Sequence, residues 1–502
     1  MTTAGRPAPD ETALTGKVRR ASFWLGGNSI MMRLSNIAVM AVAARIVAPD
    51  EFGLFTLAVT AHAMVVTFAE LGVASAIARH DLDERAVAPT GVTISVGVNV
   101  LLGGLLAYFA MPVATLLGSA DAAPALRVLS VSVAMSGLFV VPAAQLQRDF
   151  RQDVVFRSNL VGTLVGAGTL VWLALVGDGA LAFAWSRVGG QLVTGTLMVV
   201  ALTTRYGPGW DRGSVRLLLR FGVPLALANL LSQVVVNIDY VFVGRTLELR
   251  DVGLYTLAFN VSSWASSVIA SVLNGVVLPA FSTVRREGGD TGAALASAVR
   301  AVTLVSFPIA AMTAALATPL VITLYGARWS DAAPVITVLA VFGAANALGQ
   351  LVANVLIACG RTVVILVVQV CALVVLVPAL LAGIHQAGLL GAGTAHVVTI
   401  LLVTLPVYLV VLRRALGPVL RRAARAGAWP LLSAVAAGVL AHLVAAPIPV
   451  PWLALLAGGA CGGLAYLALA GRQLVALLPP GARGRIPAAW RPAPAPEPEV
   501  AR

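Results

Sequence analysis

Residues 51–58 read Glu-Phe-Gly-Leu-Phe-Thr-Leu-Ala, and residues 251–258 read Asp-Val-Gly-Leu-Tyr-Thr-Leu-Ala. The two stretches are copies at an offset of 200, and Arg45 meets Arg245 at the same offset. Each copy stands between two apolar runs of bilayer-spanning length, about 20 residues. The chain therefore reads as a duplicated membrane unit, and its orientation depends on how many spans separate the copies.

Composition leads to the same class. The 502 residues are 59% hydrophobic and only 11% charged, against roughly 25% charged in a soluble domain. Lipid must be the solvent for much of the surface, and only helices or closed barrels satisfy their backbone groups there. Continuous apolar runs exclude the alternating pattern of a barrel. The runs predict spans at 21–45, 54–78, 88–110, 125–146, 158–176, 180–202, 221–244, 254–280, 301–323, 333–358, 362–383, 387–411, 429–447 and 451–471. The expected fold is an all-α polytopic membrane protein of about 14 transmembrane helices.

The net charge of +13 would suit nucleic acid, but its placement says otherwise. With the N-terminus inside, the outer segments hold only Arg45, Arg127, Arg245, Arg250 and Arg328, and Arg33 and Arg187 fall within spans. Every other cation lies on the inner side, from Arg6 through Lys17, the only lysine, to Arg502. This is a topology signal, with both termini cytoplasmic in a plasma (inner) membrane. The cluster from Arg413 to Arg425 also suits contact with anionic lipid headgroups.

Six helices separate helix 1 from helix 7, so the copies enter the membrane with the same orientation. A cytoplasmic segment (1–20) precedes an N-lobe of helices 1–6 (21–202). A linker (203–220) leads to a C-lobe of helices 7–12 (221–411). A basic loop with helices 13–14 (412–471) and a Pro-rich tail (472–502) of disorder-forming composition complete the chain. Two like lobes around a central cavity are the architecture of an alternating-access transporter.

Ionisable and amide side chains inside spans are costly and mark candidate sites. Ser29, Arg33 and Asn36 share one face of helix 1, and Asn229, Gln233 and Asn237 one face of helix 7. Ser29 meets Asn229 and Arg33 meets Gln233 at the 200 offset. Helix 10 carries Asn346, Gln350 and Asn354, spaced by four. These residues are the candidate cavity lining, and polar glue between helices is the competing role for each amide. A guanidinium at Arg33 suits an anionic group that accepts two parallel hydrogen bonds, such as phosphate. Glu70 and Asp239 are the candidate ion-coupling carboxylates, with simple pairing to Arg as the alternative. Arg187, in helix 6, suits a structural partner or a ligand equally. The pair Asp50 and Glu51 reads as acids opening helix 2 rather than as catalytic groups. Cys359, Cys371 and Cys461 read as small buried apolar residues. With no Walker motif, metal-ligand cluster or nucleophile–base pair, neither a cofactor nor enzymatic chemistry is expected.

The stretch Ala-Arg-Ile-Val-Ala-Pro-Asp-Glu-Phe-Gly-Leu-Phe-Thr-Leu-Ala (44–58) resembles the opening signature of bacterial Wzx-type polysaccharide flippases. Leu-Gly-Val (71–73), Gln-Leu-Gln-Arg-Asp-Phe-Arg (145–151) and the 251–258 copy resemble the same family, part of the multidrug/oligosaccharidyl-lipid/polysaccharide exporter superfamily. The resemblance covers residues 15–470. It implies two six-helix lobes, often with two extra helices, and transport of undecaprenyl-diphosphate-linked oligosaccharide for cell-surface polysaccharide. The polymerase and glycosyltransferases of that pathway are the implied partners. Other transporters of the superfamily, a lipid II flippase or a drug/cation antiporter, and a membrane glycosyltransferase or polymerase remain as alternatives.

Overall fold

The structure is a computed structural model, described here at residues 24, 27–28, 31–32, 34–35, 37–70, 72–78, 83–272, 281, 287–417 and 419–477. Ten of its helices, among the described residues, are long and apolar enough to cross a membrane. The chain is an all-α, multi-pass membrane protein with two compact units, 1–253 and 254–502.

In the first unit, α1 (Ile37–Ile46) leads into α2 (Pro49–Ala69) and α3 (Val73–Ala78). Then come α4 (Glu84–Tyr108), α5 (Ala110–Leu117), α6 (Ala123–Arg148), α7 (Gln152–Val176), α8 (Gly179–Val200) and α9 (Arg212–Thr246). Helix α10 (Leu249–Val272) carries the chain into the second unit. There follow α11 (Thr291–Ala315), α12 (Ala317–Leu324), α13 (Ala333–Ala358), α14 (Thr362–Thr399), α15 (Leu405–Leu416), α16 (Leu420–Ala445) and α17 (Pro451–Leu477).

Five residues of the 51–58 stretch have a visible structural reason. Asp50 and Glu51 lie in the first turn of α2, behind Pro49, where carboxylates meet the positive end of the helix. Glu51 also packs its carboxylate against Gly179 at the start of α8, at a point where an added Cβ would collide with it. Phe55 stacks on Phe183 of α8 at 4.9 Å, and Phe52 lies 5.2 Å from the same ring. Leu57 is fully buried and touches the spot where Gly244 of α9 lacks a side chain. Gly53 lets α2 approach the backbone of Leu249, and its copy Gly253 approaches that of Pro49 in the same way. In the copy, Val252, Leu254, Tyr255, Leu257 and Ala258 are all buried.

The duplication extends beyond the octapeptide. Asp121, Ala122, Ala123 and Pro124 recur as Asp331, Ala332, Ala333 and Pro334. In both places a 3-10 turn (Ala120–Ala122, Ala327–Ala332) feeds a 26-residue helix with proline in its first turn. A long helix and a short one precede it each time: α4 then α5, and α11 then α12.

Several predicted spans are corrected in detail. The span 54–78 is broken at Gly72, whose φ of +61° stops α2 before α3. A Cβ there would meet Gly222 Cα at 3.0 Å. Spans 88–110 and 301–323 end in breaks at Phe109 and Leu316 and continue as α5 and α12. Spans 362–383 and 387–411, by contrast, agree with the structure as two helical legs, with the break at the non-helical residues Ala387 and Gly388 (φ +55°). These legs touch where Gly383 and Gly391 face one another's backbone. Helix α9 starts at Arg212, inside the stretch read as linker, because Asp211 caps it by accepting from Ser214 N–H at 2.7 Å. Nine of the 25 residues of the predicted first span, Ser29, Arg33 and Asn36 among them, lie outside the described residues. Cys359 and Cys461 are half-buried and Cys371 is exposed, so the expected burial does not hold for Cys371; a lipid-facing thiol is equally apolar.

Helices meet through small residues, because lipid gives no hydrophobic drive for helix pairing and close backbone approach must supply it. Gly162 and Gly166 of α7 face Ser186, Gly190 and Thr194 of α8. A Cβ on Gly190 would lie 2.9 Å from the Gly162 carbonyl oxygen, whereas one on Gly168 would meet nothing within 4 Å. Gly190→Leu is therefore expected to destabilise the protein by about 1–3 kcal/mol and to lower its Tm in detergent, with Gly168→Leu as the neutral comparison. Equal Tm values for the two variants would contradict this packing.

Candidate functional site

Lipid offers no hydrogen bonds, so polar side chains within the helices must pair with one another or face water. In the first unit α2, α6 and α8 pack together in pairs. His62 of α2 and Ser132 of α6 are almost wholly buried, at 2% and 1% exposure. His62 Nε2 lies 3.2 Å from Ser132 Oγ. Ser132 Oγ donates to Gln191 Oε1 on α8, and Gln191 Nε2 donates to the Ser132 carbonyl at 3.1 Å. The directions follow from one another. The amide N–H₂ is committed to the carbonyl, so the amide oxygen takes the single serine proton, and Ser132 must accept from His62 Nε2–H. His62 Nδ1 then carries a lone pair, buried and with no hydrogen-bond partner among the described residues.

Arg187 stands one turn before Gln191, on the same face of α8. Arg187 is exposed at the surface of the chain, and the ion pairs found among the described residues, Arg148–Glu84 and Arg422–Asp290, do not involve it. Sequence reasoning missed His62, Ser132 and Gln191. The available signal was the i, i+4 pair of Arg187 and Gln191 on one helix face.

A second buried node lies on α4. Asn99 donates to the carbonyls of Ser95 (2.8 Å) and Ala69 (3.3 Å) and accepts from Ser136 of α6 at 2.7 Å. A third node closes one end of the unit. Glu84 accepts from Gln145 at 2.8 Å and pairs with Arg148 at 3.6 Å, while Arg148 donates to the Ile77 carbonyl at 3.1 Å. Glu84, Gln145 and Arg148 line a crevice of about 320 Å³ with Asp83, Thr204 and Tyr206. The Tyr206 hydroxyl is held above its ordinary pKa by desolvation and then by the Glu84 carboxylate beside it.

Of the residues picked from sequence, Ser29, Arg33 and Asn36 lie outside the described residues. Asn229 is exposed, and Gln233 and Asn237 are half-buried on α9. Asn237 bonds back to the Gln233 carbonyl at 2.8 Å. Asn346, Gln350 and Asn354 are half-buried along α13 in the second unit. Asp239 is buried. Glu70 is the C-cap of α2, exposed, at the Gly72 break rather than within the helix. The second unit also gathers Phe259, Phe342 and His396, with ring centroids 5.1–5.9 Å apart. Among the described residues, no group of three or more His, Cys, Asp or Glu is placed to hold a metal.

The family described as "polysaccharide biosynthesis protein" matches residues 42–334. The chain belongs to this family. It is 29% identical over 307 residues to the succinoglycan biosynthesis transport protein ExoT of Rhizobium meliloti, a stretch that is 60% of each chain. The chain thus spans less than two thirds of ExoT's length. It is 22% identical over 413 residues to the lipopolysaccharide biosynthesis protein WzxC of Escherichia coli, covering 81% of this chain and 83% of WzxC. Among solved structures, lipid II flippase MurJ in an inward closed conformation superposes with a TM-score of 0.74 at 14% identity, over 90% of this chain and 99% of that one. An inward-facing MATE family transporter gives 0.61 at 16% identity, over 77% and 95%. The fold is MurJ/MATE-like. The matched residues include His62, Ser132, Arg187, Gln191 and the α9 amides, but not Arg33 or the α13 stripe.

The interior bonds of the first unit should be measurable as coupling. Ser132→Ala and Gln191→Ala are expected each to lower stability, and the double variant to lose less than the sum, with a coupling of about 1 kcal/mol. Unfolding in detergent micelles reads it; strict additivity would show that the two side chains do not interact.

Proposed function

We propose that the chain is a flippase that moves undecaprenyl-diphosphate-linked oligosaccharide from the inner to the outer leaflet by alternating access, for cell-surface polysaccharide biosynthesis. The observation that carries this reading is a polysaccharide-biosynthesis family sequence on a MurJ-like fold. The sequence relatives that support it are named for succinoglycan transport and lipopolysaccharide biosynthesis. The likeness to MurJ, at 14% identity, supports the architecture and not lipid II as substrate.

On this reading, the chain has 14 spans, as two parallel six-helix lobes with two added C-terminal helices, and both termini are cytoplasmic. The repeated element order and the one-sided placement of arginine support that arrangement. The polar stripes line the cavity. Among the described residues, no side-chain hydrogen bond is found for Asn229, Gln233, Gln350 or Asn354, which leaves these amides available to sugar hydroxyls. Arg33 takes the diphosphate, Glu70 or Asp239 serves ion coupling, and the polymerase and glycosyltransferases of the pathway are the partners.

Arg33 gives the sharpest test. A guanidinium forked onto phosphate contributes about 1.5–3 kcal/mol per charged hydrogen bond. Arg33→Ala should reduce surface polysaccharide roughly 10- to 100-fold at normal protein abundance, and Arg33→Lys should keep part of the activity. Full export by a normally abundant Arg33→Ala protein would remove this residue from the site.

A further inference from the structure

The stretch 203–220 reads as a linker in sequence, yet it is helical from Arg212 onward, and the helix lines its cations up. Arg212, Arg216 and Arg220 are spaced by four, so they form one row along α9. All three are exposed. A second row with the same spacing, Ser214, Leu218, Gly222 and Ala226, is buried. It is offset by two residues, about 200° round the helix, and so lies nearly opposite. Leu218 and Ala226 pack with Val73 and Ile77 of α3 and with Val87 of α4. Two hydrogen bonds to α4 fix the rotation of the first turn. The Asp211 N–H donates to Thr90 Oγ1 at 3.1 Å, and Ser214 Oγ donates to the Ala86 carbonyl at 3.3 Å. The packing that buries one row thus holds the arginine row outward.

Like charges at this spacing repel one another, and the helix does not answer them. Asp239 is the only acid of α9, about 28 Å along the axis from Arg220. The ion pairs found among the described residues involve none of the three arginines. The place of the row points to the anion that offsets them. The 35 residues of α9 run about 50 Å, against a hydrocarbon core of about 30 Å. The uncharged stretch 221–238 follows the row, so the arginines stand at headgroup depth. Trp210, Leu217 and Leu219 are exposed beside them. An anion free in water would cover the guanidinium groups and leave these apolar side chains wet. A phospholipid covers both, with its phosphate on arginine and its acyl chains on leucine, and tryptophan favours that same interface. We propose that Arg212, Arg216 and Arg220 form a binding row for the headgroups of anionic phospholipid. That the leaflet is the inner one rests on the orientation proposed above; the binding itself does not.

The test uses the full-length protein, purified in neutral detergent, stripped of lipid and titrated with dioleoyl-phosphatidylglycerol or dioleoyl-phosphatidylcholine. Native mass spectrometry counts the lipids retained. The wild type should bind phosphatidylglycerol about tenfold or more tightly than phosphatidylcholine. Replacing the row together, with Arg212→Gln, Arg216→Gln and Arg220→Gln, should weaken phosphatidylglycerol binding about 10- to 100-fold and leave phosphatidylcholine binding unchanged. A control removes the same charge from three exposed arginines at separate places, with Arg157→Gln, Arg300→Gln and Arg361→Gln. It should bind as the wild type does. If the row variant is not monodisperse, the three single variants replace it, each with an expected loss of up to about fivefold. The proposal is overturned if the wild type shows no preference for phosphatidylglycerol. It is equally overturned if the row variants bind as the wild type does, or if the control loses as much as the row variant, which would make net charge the cause. None of these measurements involves transport, so loss or retention of polysaccharide export in an Arg33 variant bears on the flippase reading alone.

Discussion

A bilayer interior cannot hydrogen-bond, and this constraint shapes the whole chain. It forces the backbone into helices, and it removes the hydrophobic drive that would otherwise hold helices together. Association then rests on how closely backbones approach. The glycine and serine surfaces of α7 and α8, the contact of Gly53 with Leu249, and the Gly383–Gly391 approach in α14 are local answers to that demand. The same constraint makes interior polar groups informative. The Asn99 and His62 clusters join helices by side-chain bonds that have no water to compete with.

The two units share a long-helix, short-helix, 3-10-turn stretch and have different interiors. At the heart of the first unit stand His62, Ser132 and Gln191, with Arg187 one turn away. In the second unit a cluster of Phe259, Phe342 and His396 packs α10, α13 and α14 by ring contacts. Both units keep the long-helix, short-helix, 3-10-turn sequence that ends in the recurring Asp-Ala-Ala-Pro. A shared backbone plan with unlike polar content suits a transporter in which the two halves carry different duties.

Much of the fold was legible in the sequence because hydropathy and span length are direct statements about solvent. The octapeptide copy pointed to a repeat, and the first-turn role of Asp50 and Glu51 follows from their place before an apolar run. The breaks at Phe109 and Leu316 were not legible, since apolar sequence continues across them. Gly72 was equally silent, as glycine is common within membrane helices and only its positive φ and the approach of Gly222 show why it ends α2. The His62 cluster was hidden for another reason. Its members are single polar residues on three helices far apart in the chain, and the one local signal, the spacing of Arg187 and Gln191 on α8, does not say which helices they meet. The Arg33 face remains a proposal from sequence, because Ser29, Arg33 and Asn36 lie outside the described residues.

The central claim is that this chain alone carries a polyprenyl-diphosphate-linked sugar between leaflets. Purified protein can be reconstituted into vesicles loaded with a fluorescent undecaprenyl-diphosphate-linked oligosaccharide in both leaflets. An impermeant quencher of the sugar label, added outside, removes about half of the signal from protein-free vesicles. With the protein present, quenching should continue to near completion as inner-leaflet molecules reach the outer face. Quenching that stops at the protein-free level, with correctly folded protein in the membrane, would contradict the account.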